Sequence, residues 1–127
     1  MSSDQMHNDI LQVRNLCVDA VPRKGKPFAI VNDISFSVEP GKVVALIGES
    51  GSGKTVTGMA ILHLLPENAE TKWETFDFLD LDVTGMDEEA FRDLRGNRMA
   101  VVFQDPTGAF NPAKKVGWHF HQVFERT

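Results

Sequence analysis

Gly48-Glu49-Ser50-Gly51-Ser52-Gly53-Lys54-Thr55 is the stretch around which the chain is organised. It fits the phosphate-loop pattern of Gly, four residues, Gly-Lys-Thr. The chemistry explains the spacing. Glycines at 48, 51 and 53 let the backbone curl close to a phosphate, where side chains would block it. Curled N–H groups and the start of a following helix make a concave anion site. Lys54 is placed to meet the β- and γ-phosphates, and the Thr55 hydroxyl to hold Mg²⁺.

The flanks match. Lys42–Ile47 is a continuous apolar run after a Pro40-Gly41 turn, as expected of a strand buried on both faces. After Lys54, Val56, Met59, Ala60 and His63 recur at helical spacing, and Pro66 closes the segment. Strand, loop and helix together support nucleotide binding over the plainer alternative, a glycine-rich turn with no ligand.

The rest of the chain bounds the function. With 127 residues, 42% hydrophobic and 24% charged, it is one domain's worth of ordinary globular sequence. A net charge of −5 and the lack of a basic stripe argue against nucleic acid. Cys17 is the single cysteine, so the sequence holds neither a disulfide framework nor a cysteine zinc site, as fits a reducing compartment. No apolar run approaches the ~20 residues of a membrane span, so service to a membrane would be peripheral.

In chain order, residues 1–9 are expected to be a disordered lead-in to a domain over 10–127. Ile10–Val18 and Phe28–Val38 alternate and predict two antiparallel strands, the first with a shift of phase between Val13 and Leu16. Pro22-Arg23-Lys24-Gly25-Lys26-Pro27 between them is a turn. Glu67–Lys72 is expected as a polar connection, and Trp73–Val83 as a strand running into a loop. Glu88–Leu94 predicts a short helix, Met99–Phe103 a second buried strand, and Val116–Glu125 a helix. His63 is expected on the inner face of its helix with a hydrogen bond, and Trp73 and Trp118 as packing residues.

Three blocks resemble one family: the phosphate loop through Val56-Thr57, then Arg95-Gly96-Asn97-Arg98-Met99-Ala100-Val101-Val102-Phe103-Gln104-Asp105-Pro106, then Phe110-Asn111-Pro112. They are similar to the ATP-binding subunits of ABC transporters, most closely the branch that energises oligopeptide, dipeptide and nickel importers. The resemblance implies an α/β P-loop NTPase of ABC type. Its N-terminal part would be an antiparallel β subdomain with an incomplete parallel-sheet nucleotide-binding core. It implies ATP and Mg²⁺ as ligands, held by residues 48–56 including Val56, and Gln104 as the Q-loop glutamine that positions Mg²⁺ and water. It also implies membrane permease subunits contacting the Q-loop region, a second ATPase subunit packed head to tail, a solute-binding protein acting indirectly, and a place on the cytoplasmic face of the membrane.

The family stacks adenine on an aromatic residue at the end of its first strand. Ala20 stands at that position here, and Phe28 across the hairpin is the substitute candidate. The glycine turn that the family carries within the Thr75–Asp82 hairpin is also missing. The chain continues for 23 residues beyond Gln104, and within them there is no Leu-Ser-Gly-Gly-Gln signature, Walker B aspartate, catalytic glutamate or switch histidine. The expectation is therefore the ATP-binding subunit of a peptide-type importer, truncated after the Q-loop. Little turnover is expected of these residues alone, since hydrolysis needs a carboxylate at the attacking water. The alternatives are a nucleotide- or partner-binding fragment without turnover, and a different P-loop NTPase. Against the latter stand the two strands before the loop and the absence of an Asn-Lys-x-Asp guanine motif.

Overall fold

The computed structural model describes residues 9–105 and 107–125. The expected lead-in falls, apart from Asp9, outside the described residues, as does Pro106 of the Q-loop block. The chain divides into two compact units, Met1–Asp87 and Glu88–Thr127.

The first unit is built on a long hairpin. β1 (Leu11–Ala20) and β2 (Phe28–Val38) pair antiparallel, as their alternation predicts. The phase shift in the sequence is a real bulge. Between the pairs Val13↔Phe36 and Leu16↔Ile34, β1 carries an extra residue, and between Leu16↔Ile34 and Val18↔Val31, β2 carries one. Asn15 and Asp33 lie at these bulges with φ of 51° and 52°, a region that Asn and Asp tolerate better than most residues. The Asn15 side-chain amide donates to Asp33 Oδ1 at 2.5 Å, and the Asn15 N–H donates to Ser35 Oγ at 2.9 Å. The two bulges lock one another. Each keeps the apolar side chains on one face, so Val13, Leu16 and Val18 are all fully buried.

The other edge of β1 is covered by two short strands in succession. β3 (Ala69–Lys72) pairs with Cys17–Ala20, and β4 (Thr75–Phe78) pairs with Leu11–Arg14. The Glu74 N–H bridges the gap to the Arg14 carbonyl at 3.0 Å. Ala69–Lys72 is thus a strand rather than the expected polar connection. β4 continues into β5 (Leu81–Asp82), giving the order β2-β1-β4-β5 with β3 beside β1. The core of this unit adds Val31, Phe76, Phe78 and Val83 from the sheet and its loops, Ala60 from the helix that follows the phosphate loop, and Leu62 from that helix's C-terminal cap.

The β4–β5 turn forms without glycine. Leu79 and Asp80 take φ of 50° and 61° between the paired Phe78 and Leu81. This is the handedness a two-residue hairpin needs, for which Asn-Gly is preferred. A leucine there costs on the order of 1 kcal/mol. The double substitution Leu79→Asn, Asp80→Gly is therefore expected to stabilise the chain by about 1 kcal/mol, read as a higher urea midpoint at unchanged slope. A lower midpoint would count against the strain.

Two expected strands are not formed. Residues 42–47 and 99–103 make no ladder, and Val43, Ile47 and Val102 are 94%, 94% and 96% exposed. The reason is physical. A parallel strand is stabilised by neighbours on both edges and both faces, and no described residues pair with these segments. The antiparallel subdomain forms its ladders because all of its strands, from β1 to β5, lie within the described residues.

In the second unit, α2 (Glu88–Asn97) runs three residues beyond the expected Leu94, with Phe91 fully buried and the Arg95 guanidinium 5.7 Å from its ring centre. A 3-10 turn at Thr107–Ala109 precedes α3 (Val116–Phe124). Val116, Phe120, Val123 and Phe124 share one stripe of α3, and all four are exposed.

Candidate functional site

The helix α1 (Lys54–Ile61) begins where the phosphate loop ends. Its start is set by Gly53, whose φ of 93° only glycine adopts readily. A Cβ on Gly53 would sit 3.1 Å from both the Ile30 carbonyl oxygen and Val31 Cγ2. The glycine thus docks the helix entrance directly on the β2 backbone. Thr57, one turn on and buried, returns both its N–H and its hydroxyl to the Gly53 carbonyl at 2.8 Å. Gly51 provides a second left-handed position, with φ of 80°. The Ser52 N–H closes a turn on the Glu49 carbonyl at 3.1 Å. At Gly48 a Cβ would meet Ser52 Oγ at 2.5 Å, so the loop's two ends approach within reach of one another.

Lys54 ties this curl together. Its ammonium donates to the carbonyls of Gly48 and Glu49 at 2.7 and 2.6 Å and to Ser52 Oγ at 3.2 Å. Loop carbonyls drawn toward the lysine leave loop N–H groups to serve an anion. The first-turn amides of α1 have no intrahelical acceptors, and the helix carries no acidic residue in that turn. The positive end of its dipole is therefore unopposed within the helix. Thr55 is exposed, and Val56 half-buried. A groove of about 300 Å³ runs beside the loop, lined by Ile30, Ile34, Leu46, Gly48, Lys54 and Thr57 among others.

At its far end α1 stops in an orderly way. The Leu64 N–H bonds the Met59 carbonyl at 2.8 Å and the His63 N–H bonds that of Ala60 at 3.0 Å, with His63 at φ 51°. This is a Schellman cap in which histidine replaces the usual glycine. The imidazole stacks on Trp73 at 5.4 Å, which compensates for the backbone conformation. Trp73 in turn packs on Phe76 at 4.7 Å, the packing role expected of it. Trp118 in the second unit is less enclosed, with the Lys114 ammonium 5.3 Å from its ring and 42% of its surface exposed.

The sequence-predicted residues Gly48, Glu49, Ser50, Gly51, Ser52, Gly53, Lys54, Thr55 and Val56 lie together in this one loop and helix start. Phe28 lies directly across from Ala20 in the β1–β2 ladder and is 59% exposed. Gln104 belongs to the second unit, exposed in the segment before the 3-10 turn. Beside it, the Thr107 hydroxyl and N–H donate to Asp105 and hold its carboxyl below the usual carboxylate range. What sequence reasoning missed is the docking of Gly53 on β2 and the bonds of Lys54 to the loop carbonyls. Neither contact leaves a mark in residue spacing.

Residues 31–120 match the family described as ABC transporter. The chain belongs to the ABC transporter family. It is 38% identical over 116 residues to the oligopeptide transport ATP-binding protein OppD of Mycobacterium tuberculosis, covering 91% of this chain and 19% of that protein. It is 35% identical over 116 residues to the dipeptide transport ATP-binding protein DppD of Haemophilus influenzae, covering 91% and 35%. With DppD of Escherichia coli the identity is 37% over 99 residues, 78% of this chain and 30% of that protein. The chain thus spans about a fifth to a third of the length of these relatives. Among the described residues no helix is long and apolar enough to cross a membrane.

Proposed function

We propose that this chain is the nucleotide-binding portion of the ATP-binding subunit of an ABC importer for peptides or related solutes, and that it binds Mg-ATP through the 48–56 loop. One observation carries the reading: the loop is curled, a Cβ at Gly48 or Gly53 would crowd Ser52 or the β2 backbone, Gly51 takes a left-handed φ, and Lys54 binds the loop carbonyls. A cradle of that kind fits a triphosphate in size and charge. Thr55 would supply the protein oxygen for Mg²⁺, which would offset the negative charge of the phosphates there. Gln104 is assigned to positioning the metal and water. The printed names of the relatives support the peptide class of solute. Permease subunits near Gln104, a second ATPase subunit packed head to tail, a solute-binding protein and the cytoplasmic face of the membrane belong to the same proposal.

Binding rather than turnover is assigned to these 127 residues. The sequence offers no carboxylate in a Walker B setting to polarise water. The second reading, a nucleotide-binding unit without hydrolysis, describes that narrower capacity.

Phe28 is assigned to the base. It faces Ala20 across the ladder, so an aromatic ring is restored one strand over, and it remains exposed. Calorimetric titration tests both points. Mg-ATP is expected to bind, and Phe28→Ala to weaken it about 5- to 10-fold, the usual worth of one stacked base, while leaving inorganic triphosphate unaffected. An equal loss for triphosphate would assign Phe28 to hairpin packing. Absence of Mg-ATP binding by the folded chain would overturn the proposal.

A further inference from the structure

The chain is acidic overall, with a net charge of −5, and so repels a nucleotide triphosphate at long range. One exposed feature opposes that field. The tip of the β1–β2 hairpin presents Arg23, Lys24 and Lys26 in a row broken only by Gly25, between Pro22 and Pro27. All three cations are exposed, and among the described residues none forms a salt bridge. Asp19, the nearest acidic residue along β1, lies 3.8 Å from Lys72 rather than at the tip. The loop's own cation, Lys54, is turned onto the carbonyls of Gly48 and Glu49.

The tip is close to the phosphate site along the strand. Ile30 is the β2 residue whose carbonyl abuts Gly53. From Ile30 back to Lys26 is a run of roughly 13 Å at strand spacing. That is about one Debye length at 0.1 M salt and well inside the ~30 Å Debye length at 0.01 M. The tip stands beyond Phe28, away from where the phosphates would rest, so its charges act at a distance rather than by contact.

We propose that Arg23, Lys24 and Lys26 form an electrostatic attractor that draws the nucleoside triphosphate toward the 48–55 loop, governing the association rate and leaving the bound state nearly untouched. The inference rests on the ATP-binding reading above. Charges that steer an encounter change the on-rate and its salt dependence, whereas charges that contact the ligand change the off-rate. The flanking prolines suit the role, because they hold the tip in place without offering a ladder donor.

The test is stopped-flow binding of N-methylanthraniloyl-ATP with Mg²⁺ to the full chain, beside R23Q/K24Q/K26Q and Lys54→Ala, at low and high salt. The triple variant is expected to associate about 3- to 10-fold more slowly at low ionic strength. Its dissociation rate should stay within about twofold, and the difference should vanish near 0.5 M salt. Equal association rates at low salt overturn the proposal. So does a loss confined to the dissociation rate, which would make the tip a contact surface. These two outcomes leave the ATP-binding reading intact if Lys54→Ala abolishes the signal. A wild-type chain that gives no more signal than Lys54→Ala overturns that reading and the attractor with it. The glutamines sit on an exposed turn, and an unchanged urea midpoint will show that the variant is folded.

Discussion

Lys54→Ala is expected to reduce Mg-ATP affinity by about 100-fold or more. The ammonium is the loop's only side-chain cation, and it lies within hydrogen-bond reach of Gly48, Glu49 and Ser52. Hydrogen bonds to charged groups contribute about 1.5–3 kcal/mol each, and tenfold in affinity is about 1.4 kcal/mol. Losing the phosphate contact alone accounts for ten- to hundredfold, and releasing the Gly48 and Glu49 carbonyls adds to it by letting the curl relax. Lys54→Arg separates the two contributions. It keeps the charge, but its planar fork cannot reproduce a compact ammonium bonded to two carbonyls, so it is expected to restore only part of the affinity. Calorimetry measures all three proteins. Because these hydrogen bonds are solvent-exposed, thermal unfolding of Lys54→Ala should shift little. Affinity within threefold of wild type in Lys54→Ala would mean that the loop does not hold the phosphates.

The largest effect on stability is expected at Phe76. Its side chain is fully buried and packs on Trp73 and His63. Its backbone is equally committed: the N–H donates to Thr84 Oγ1 at 3.1 Å, and the carbonyl accepts from the Val83 N–H at 2.8 Å. Phe76→Ala is expected to cost about 3–5 kcal/mol, a large share of the 5–15 kcal/mol available to a typical domain. Urea denaturation followed by tryptophan fluorescence reads it directly, since Trp73 is the ring against Phe76. Phe76→Leu, which keeps most of the volume, should cost well under half as much. A loss below about 1 kcal/mol for alanine would show that the pocket collapses around the vacancy. Nucleotide binding should fall with stability, because Phe76 supports β1, β1 supports β2, and β2 carries the seat of Gly53.

How much of this was legible in the sequence follows from what each residue type can signal. β1 and β2 announced themselves through period-two alternation, and even the bulge showed as a slip of phase between Val13 and Leu16. The phosphate loop was legible because its glycines answer a steric demand that few other positions impose. β3 was not, because its inward residues are Ala69 and Thr71, too small and too mixed in character to mark a buried face. The runs at 42–47 and 99–103 were misread for the opposite reason. Valine and isoleucine record that a segment is suited to burial, but they do not supply the strands that bury it. The β4–β5 turn was obscured because Leu79 and Asp80 are poor signals of left-handed backbone. The family resemblance, by contrast, was carried by blocks of ordered residues, and matching of residues 31–120 bears it out.

The phosphate loop is anchored unevenly. At one side Gly53 and Thr57 fasten it to β2 and α1, while on the other the six residues before Gly48 take part in no ladder. A ligand that demands one loop geometry must also restrain that unpaired approach, so occupancy of the loop and the pairing of residues 42–47 are thermodynamically linked. Reciprocity then sets the terms. If the loop holds nucleotide as proposed, a polypeptide that takes up this stretch as a strand would change the grip on nucleotide by some factor, and nucleotide would change the grip on that polypeptide by the same factor. On that reading the exposed valines and isoleucine ahead of the loop would make nucleotide affinity a reporter of assembly.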